Sequence, residues 1–292
     1  MNLVPIWNKV GRGKGCFMRR KLFCEISPLT YRISLLKCRL VRYAKDLFER
    51  SNFAVNKSEK KLPIVIFKHE SLIRRTLGKV DKQLQENKAI NLSIATPKVD
   101  GILIRPGEVF SFWKLVGNTS ANKGYKKGLM ITNSQPTSGV GGGMCQFTNL
   151  LHWMVLHSPL DIIEHHHHDE YDLFPDCERK VPFGTGTSIA YNYLDYRVKN
   201  NTDMTFQFVV SVSKTHLCGE LRTNKSLDIE YDIVSENERF VRENDIVYRR
   251  GSVYRKGIDK STGEILFKEL LRTNNAKVLY DTASLVINDY EV

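Results

Sequence analysis

Long hydrophobic runs are missing from this sequence. None of its 292 residues lie in an uninterrupted apolar stretch of about 18 residues, which a membrane-spanning helix requires. The N-terminal region also has no compact apolar run followed by a small-residue cleavage site, so no signal peptide is evident. We therefore expect a cytoplasmic protein, either free or held at a membrane surface.

Paired cysteines and familiar metal motifs are also missing. The six cysteines include no CxxC pair, and in a chain of this size without a signal peptide we expect free thiols. The sequence contains no HExxH motif and no internal repeat. These absences argue against a disulfide framework and against a repeat architecture.

Acidic residues are scarce at the N-terminus. The formal charge of the chain is +12, and residues 1–50 contain twelve Lys or Arg against three Asp or Glu, which leaves the remainder nearly neutral. Excess positive charge suggests an acidic partner. We expect no nucleic-acid partner, whereas peripheral contact with a membrane through this basic segment is compatible with its charge.

An amphipathic helix is predicted within the basic segment, from Tyr31 to Arg50. Its apolar residues fall on one helical face and basic residues fill the rest. The apolar residues are Leu36, Leu40, Val41, Ala44, Leu47 and Phe48. We expect this apolar face to pack on the helix's own domain and to leave a solvated basic face. The alternative is that the helix lies on anionic lipid.

The chain after residue 61 predicts short strands and helices in alternation. Residues 62–67 predict a strand, and the apolar repeat that follows predicts a helix from an N-cap at Ser71 to about Lys88. Residues 100–113 predict a strand, a turn at Pro106-Gly107 and an aromatic core segment.

The second half of the chain predicts one clear helix and several strands. Apolar residues recur at helical spacing from Cys145 to His157, where Ser158-Pro159 ends the pattern. Residues 189–200 and 204–213 predict two strands of a hairpin, and residues 259–264 predict the turn of another.

These elements predict an α+β fold. Its mixed core would consist of the Cys145 helix packed on an antiparallel sheet, preceded by a basic helical segment and followed by a β-rich extension. The predicted boundaries are 1–61 for the basic segment, 62–215 for the core domain and 216–292 for the C-terminal extension.

Residues 138–151, SGVGGGMCQFTNLL, place a glycine loop directly before the Cys145 helix. Such a loop is the usual cradle for phosphate. However, no Lys-Ser/Thr follows it, and the glycines give G-x-G-G-G instead of G-x-G-x-x-G. The preceding residues 130–138 are polar and turn-like, so no hydrophobic strand leads into the loop. The pattern does not indicate a nucleotide site.

A thiol nucleophile is the other chemistry that this loop suggests. A helix N-terminus lowers the pKa of a cysteine, and glycines leave room for a substrate and amide N–H groups for an oxyanion. A base and an orienting residue follow in a workable order, namely His166 or His168 and then Asp195, with Gln146 as a further oxyanion donor. The alternative is that Cys145 is a small buried hydrophobe at a tight turn.

The histidine run EHHHHDE, residues 164–170, is a second candidate for chemistry, because imidazole binds zinc, copper and nickel. On a strand, alternate histidines of this run face opposite sides, so at most two converge locally. His152 and His157, five residues apart on the helix, do not form a ligand pair. We predict neither a metal site nor a cofactor.

Four ordered segments resemble the VanW family of bacterial proteins. They are RPGEVFSFWKLVG, KGYKKGLMI, GVGGGMCQFTNLLHWMVLHSPLDIIEHHHH and LDYRVKN. The resemblance covers about residues 62–215. The family is named for an accessory gene in VanB-type vancomycin-resistance clusters, and its biochemical activity is not established.

The match to the family's motifs can be made residue by residue. The matching residues are Pro106, Gly107, Glu108, Phe110 and Ser111 in PGE-x-FS, Gly141, Gly142, Gly143, Cys145 and Gln146 in GGG-x-CQ, Glu164, His166 and His168 in E-R-H-x-H, and Asp195 and Asn200 in the strand motif. This chain has His165 where the family usually has Arg, so no cation adjoins Glu164 in the sequence.

The resemblance implies a cell-wall context and leaves two functions open. One is a non-catalytic binding or accessory module in which Gly141, Gly142, Gly143 and Glu164 contact a ligand. The other is a cysteine-dependent amidase, peptidase or transferase that acts on a peptidoglycan-type peptide through Cys145, His168 (or His166) and Asp195. Either protein would meet peptidoglycan precursors on the cytoplasmic side, as uridine-nucleotide peptides or lipid-linked intermediates.

Overall fold

The computed structural model describes residues 22–48, 52–74, 81–132, 135–167, 170–173, 175–176 and 181–289. The α-helices in these residues are α1 (Phe23–Ile26), α2 (Pro28–Phe48), α3 (Lys82–Val99), α4 (Phe112–Val116) and α5 (Met144–Leu156). The strands are β1 (Ile64–Leu72), β2 (Leu103–Ile104), β3 (Val109–Ser111), β4 (Lys127–Thr132), β5 (Gln135–Val140), β6 (Asp161–Glu164), β7 (Tyr171–Asp172), β8 (Arg197–Lys199), β9 (Phe206–Val212), β10 (His216–Thr223), β11 (Ile229–Glu243), β12 (Ile246–Asp259), β13 (Ile265–Val278) and β14 (Ile287–Asp289).

The described strands form four sheets. Their orders are β1-β10-β9-β2, β14-β11-β12-β13-β7, β3-β8-β6 and β4-β5. Pairing is antiparallel except where the short strands β14 and β7 join the edges of the five-stranded sheet. Helices and largely antiparallel sheets in one chain confirm the predicted α+β class.

The main hydrophobic core lies where α3 and α5 pack on the four-stranded sheet. Leu92 of α3, Phe147 and Leu151 of α5, and Phe206 and Phe208 of β9 are fully buried there. The approach of α5 is close because β10 carries a glycine at the contact. A Cβ on Gly219 would lie 2.8 Å from the terminal atoms of Met154.

The five-stranded sheet is built from the long hairpins β11–β12 and β12–β13. A second apolar cluster joins this sheet to α5, and its members are Trp153, Leu156, Ile233 and Val253. β10 pairs with β9 and β1, so the four-stranded sheet continues past residue 215. The boundary between the core domain and the C-terminal extension stays a prediction.

Several predicted elements are confirmed. The Cys145 helix is α5, and the turn at residues 259–264 joins β12 to β13. In that turn the carboxylate of Asp259 accepts hydrogen bonds from the backbone N–H groups of Ser261 and Thr262. The four described cysteines are free thiols, and Cys16 and Cys177 lie outside the described residues.

Two local predictions are wrong. Ser71 does not cap a helix, because β1 continues to Leu72 and the helix begins at Lys82, where Asp81 accepts a 2.8 Å hydrogen bond from the N–H of Gln83. β8 and β9 do not form a hairpin, since β8 pairs with β3 and β6 while β9 pairs with β10 and β2. The strand that leads into the glycine loop, β5, is polar and not hydrophobic.

The predicted burial of the amphipathic helix is also wrong. Helix α2 buries only Asp46, while Leu36, Leu40 and Leu47 are exposed. The body of the protein presents charged and backbone groups to α2, so polar side chains face inward. Among the described residues, no helix is long and apolar enough to cross a bilayer.

Candidate functional site

The glycine loop before α5 is packed against protein on both sides. Gly143 is the N-cap of α5 and has a φ of 107°, which favours glycine. A Cβ on Gly142 would lie 2.3 Å from the backbone carbon of Gly128 in β4. The carbonyl of Gly142 accepts a 2.8 Å hydrogen bond from the Asn91 side chain of α3. The packing of α3, α5 and the β4–β5 hairpin therefore accounts for glycine at these positions.

The loop amides have partners within the protein. The N–H of Gly141 donates to the carbonyl of Lys126 at 3.0 Å, and that of Gly142 donates to the carbonyl of Gly139 at 3.1 Å. These two amides are therefore engaged and do not point at a substrate position. The ligand-binding role of Gly141, Gly142 and Gly143 stays a prediction.

Gln146 is held against the end of β1. Its side-chain nitrogen donates to the hydroxyl of Ser71 at 2.8 Å and to the carbonyl of Leu72 at 2.9 Å. Both amide hydrogens of Gln146 are thus used to join α5 to β1. In this position the side chain would have to break both bonds before it could act as an oxyanion donor.

Cys145 lies in the first turn of α5, as predicted, next to residues 187–189. Its carbonyl accepts hydrogen bonds from the hydroxyls of Thr148 at 3.2 Å and Thr187 at 3.4 Å. Burial raises the pKa of the Cys145 thiol, and backbone hydrogen bonds from Ile189 and from Cys145 itself offset this only in part. The expected lowering of the thiol pKa is therefore wrong, because desolvation outweighs the helix dipole.

The described histidines of the run divide between two sides, as their alternation predicted. His166 Nε2 lies 2.9 Å from Glu164 Oε1. His165 and His167 face the opposite way, towards the backbone of Gly186; His165 Nε2 lies 2.8 Å from the Gly186 carbonyl oxygen. His168, the predicted base, lies outside the described residues.

A stacked histidine pair is a feature that the sequence did not reveal. The rings of His152, on α5, and His165 are 4.3 Å apart between centroids and almost parallel. Burial, followed by the neighbouring His165 and His167, lowers the pKa of His152 well below its usual range. Burial and the charges of His167 and Arg272 lower the pKa of His165 to about 4, although its bond to Gly186 opposes this. Both rings are therefore neutral at pH 7.

Glu164, at the end of β6, is the point where several polar groups meet. Its Oε1 accepts hydrogen bonds from Arg42 of α2 at 2.5 Å and from the backbone N–H of Asp195 at 2.9 Å, and His166 lies at a similar distance. Burial alone would raise the pKa of Glu164, but these hydrogen bonds and the charge of Arg42 lower it. The sequence position next to Glu164 has no cation, and Arg42 of helix α2 supplies one instead.

Asp195 is almost completely buried, with 1% of its surface exposed. Its carboxylate accepts hydrogen bonds from the Ser111 hydroxyl at 2.5 Å, the Trp113 N–H at 3.0 Å and the Arg197 side chain at 2.9 Å. Burial raises the pKa of Asp195, and these donors offset the rise only in part. Its described contacts orient α4 and β8 and include no histidine, so they support a structural role.

Arg197 connects the carboxylates of Glu164 and Asp195 to helix α2. Its Nη1 lies 2.7 Å from Asp46 Oδ1, its Nε lies 2.9 Å from Asp195 Oδ2, and the same Nε lies 3.5 Å from Glu164 Oε2. We call Arg197, Asp46, Asp195 and Glu164 the Arg197 cluster. The sequence did not identify Arg197 or Asp46 as members. A weak signal was present, since an arginine two residues after Asp195 on a strand shares its face.

The predicted site residues therefore belong to two groups. Glu164, His166 and Asp195 lie together in or beside the Arg197 cluster, whereas the described contacts of Cys145 are with Thr148, Thr187 and Ile189. Among the described residues, no group of three His, Cys, Asp or Glu side chains is arranged to hold a metal ion.

Comparisons with known proteins agree with the resemblance seen in the sequence. Residues 87–222 match the family model described as VanW like protein. The chain is 34% identical over 263 residues to the vancomycin B-type resistance protein VanW of Enterococcus faecalis, which covers 90% of this chain and 95% of that protein. It is 30% identical over 115 residues to the uncharacterized protein YoaR of Bacillus subtilis, covering 39% and 36% of the two chains. No solved structure matches.

Proposed function

Because this chain belongs to the VanW family, we propose that it is a non-catalytic accessory protein that binds a peptidoglycan-type peptide in the context of glycopeptide resistance. The relative from Enterococcus faecalis is named as a vancomycin B-type resistance protein, and the similarity to it extends over almost its whole length. In this proposal the protein acts in the cytoplasm, where peptide precursors of the cell wall are made.

One observation carries the choice of binding over catalysis. The groups that would serve a cysteine nucleophile are engaged elsewhere: Asp195 with Ser111, Trp113 and Arg197, and Gln146 with β1. Burial also raises the pKa of the Cys145 thiol. Since the thiolate is the nucleophilic form, a raised pKa reduces the reactive fraction at pH 7.

Of the neighbouring motif residues His166 and Glu164, the histidine is the more accessible. The side chain of His166 is about a third exposed, and Glu164 beneath it is held ionised by Arg42 and Arg197. An imidazole at the surface, next to a carboxylate that is 13% exposed, can exchange hydrogen bonds with the amide and amine groups of a peptide. We therefore assign the peptide to this surface.

The test uses the full chain and a labelled uridine-nucleotide-linked peptidoglycan peptide as the probe. We expect the wild type and Cys145→Ser to bind the peptide equally by calorimetry, and His166→Ala to bind it at least tenfold more weakly. Mass spectrometry should show an unchanged peptide after prolonged incubation. Absence of binding, or equal binding by His166→Ala, would contradict the proposal.

A second function is favoured by the position of Cys145 alone. The thiol lies in the first turn of a helix with a backbone hydrogen bond from Ile189. A cysteine-dependent amidase, peptidase or transferase, with His168 as base and Asp195 as orienting residue, remains the alternative proposal. Cleavage or transfer of the same peptide that disappears in Cys145→Ser would establish this alternative. Slow labelling of Cys145 by a thiol reagent between pH 6 and pH 9 would count against it.

A further inference from the structure

Helix α2 carries its apolar residues on the side that faces away from the protein. Six of them are spaced alternately by four and three residues, so they form one continuous face of the helix. We call this face the apolar stripe; its members are Leu29, Ile33, Leu36, Leu40, Tyr43 and Leu47, and each is between 48% and 76% exposed. Tyr43 lies at the border of the stripe and also contacts Lys114 and Tyr191 of the body. Contiguous exposed apolar patches of this kind mark interaction surfaces.

The opposite face of α2 fixes the direction in which the stripe points. Asp46 pairs with Arg197 at 2.7 Å and with Lys114 at 3.0 Å. Arg42 pairs with Glu164 and also donates to the carbonyl of Tyr193 at 3.1 Å. These bonds hold the polar face against the body, so the stripe cannot turn inward without breaking buried ion pairs.

The charges beside the stripe select its partner. Arg32 and Lys37 are exposed and lie on opposite borders of the stripe, directly before Ile33 and directly after Leu36. In a pair of α2 helices from two copies, these border positions would place cations against cations, which disfavours self-association. The preceding residues 1–21 carry six more Lys or Arg and no Asp or Glu. The exposed Arg32 and Lys37, together with the basic sequence that precedes α2, therefore favour an anionic surface as the partner.

We infer that α2 is an interfacial helix that docks the protein on anionic lipid bilayers. The stripe enters the boundary between headgroups and acyl chains, and the bordering cations lie level with the lipid phosphates. The helix lies in the plane of the membrane and does not cross it. This inference does not rest on the proposed function, since it uses neither the peptide site nor Cys145.

Docking through α2 would also place the motif residues near the membrane. Arg42 and Asp46 reach from α2 to Glu164 and Arg197, so the Arg197 cluster is attached to the helix that contacts lipid. A protein held in this way would encounter lipid-linked molecules at the bilayer surface.

Vesicle flotation with the full chain tests the inference. We expect binding to vesicles of 70% phosphatidylcholine and 30% phosphatidylglycerol, and at least tenfold weaker binding to pure phosphatidylcholine. Leu36→Gln with Leu40→Gln should weaken binding to the anionic vesicles at least tenfold. Arg32→Gln with Lys37→Gln should weaken it about tenfold, and 0.5 M salt should weaken the wild type.

A matched control comes from the other end of the chain. Leu266 and Leu270 of β13 are 52% and 55% exposed, similar to Leu36 and Leu40. Leu266→Gln with Leu270→Gln should leave binding unchanged, and circular dichroism should show that every variant is folded.

Three results would overturn the inference. The first is a failure of the wild type to bind anionic vesicles. The second is vesicle binding that does not change with the Leu36 and Leu40 substitutions but is lost when the cations of residues 1–21 are neutralised. The third is a dimer in sedimentation that those leucine substitutions dissociate, because it would assign the stripe to a second copy of the chain.

Discussion

Helix α2 and the five-stranded sheet both attach to the same core, but by different forces. The sheet contributes Ile233 and Val253 to an apolar cluster with Trp153 of α5. Helix α2 buries one side chain, the charged Asp46, and leaves its apolar residues exposed. The core thus holds the sheet partly by hydrophobic burial and the helix by hydrogen-bonded ion pairs.

Each of the two regions also has a buried arginine. Arg197 of the core binds Asp46 of α2, whereas Arg249 of β12 binds Asp172 at 3.2 Å and Asp176 at 2.6 Å, both from the segment after the histidine run. Burying such pairs gives little net stability, but removing one partner is costly. The difference in apolar burial therefore implies that the sheet unfolds with the core, while α2 can separate from it.

The largest effect is expected from removing the arginine that α2 and the core share. Arg197→Ala leaves the carboxylate of Asp195 buried without its counter-charge and removes one of the two cations that pair with Asp46. We expect a loss of about 3–5 kcal/mol in the free energy of unfolding, measured by urea denaturation. Arg74→Ala is the matched control, because Arg74 forms an exposed two-point contact with Glu86 at 2.6 and 2.8 Å. It should cost no more than about 1 kcal/mol.

A pair of identical substitutions separates the two regions more directly. Ile233→Ala removes apolar contacts from a residue that is 8% exposed, and we expect a loss of about 2–4 kcal/mol. Ile33→Ala, on the apolar stripe of α2, should change stability in solution by less than about 0.5 kcal/mol. Equal losses of stability in the two variants would show that the apolar stripe is covered in solution. The proposed difference between α2 and the five-stranded sheet would then be wrong.

Lowering the pH should destabilise the part of the core near the five-stranded sheet before it weakens the attachment of α2. The pKa of His165 is lowered to about 4 from an ordinary value near 6.5, and Arg272 of β13 contributes to this shift. Between these pH values the unfolded chain binds more protons, so stability decreases as the pH is lowered from 6.5 to 4. The pKa values of Asp46 and Glu164 are also lowered, but from acidic values, so their contribution to stability persists to about pH 4.

Replacement of His165 isolates this effect. His165→Phe keeps a ring stacked on His152 but cannot titrate, so it should remove about 1–3 kcal/mol of the pH dependence between pH 6.5 and pH 4. The pKa of His152 is lowered mainly by burial, so His152 leaves a residual slope. Urea denaturation at pH 7, 6 and 5 measures the slope. A slope in His165→Phe equal to that of the wild type would contradict the assignment of this acid sensitivity to His165.

The sequence predicted elements whose pattern is local and missed those defined by long-range contacts. The spacing in α5 and the Asp259 turn identified a helix and a hairpin correctly. The partners of β8 and β9 depend on strands that are distant along the chain, so adjacent strands were wrongly paired. The burial of α2 was predicted wrongly for the same reason. The hydrophobic pattern shows which face of α2 is apolar, but it does not show that Arg197 and Glu164 form ion pairs with the polar face.

The candidate site was predicted to a similar extent. The pattern after the glycine loop correctly indicated that Cys145 begins a helix, whereas the meeting of Glu164, His166 and Asp195 at the Arg197 cluster was not predicted. The direction of the Cys145 pKa shift could not be derived from the sequence, because it depends on how deeply the folded chain buries the thiol. Arg42 was also missed, since its role requires α2 to be placed against β6.

The smallest global effect is expected from Asp46→Asn, which tests whether α2 is separable. The substitution removes the charge that pairs with Arg197 and Lys114. Arg197 keeps its bond to Asp195, and separation of α2 lets water reach both cations, so global stability should fall by less than about 1 kcal/mol. Cys38, on α2 and only partly exposed, reports docking. Its labelling by a maleimide, followed by peptide mass spectrometry, should become at least threefold faster in Asp46→Asn while the labelling of Cys218 on β10 stays constant. If both thiols react faster, the helix is released only by opening of the core, and α2 and the sheet belong to one cooperative unit.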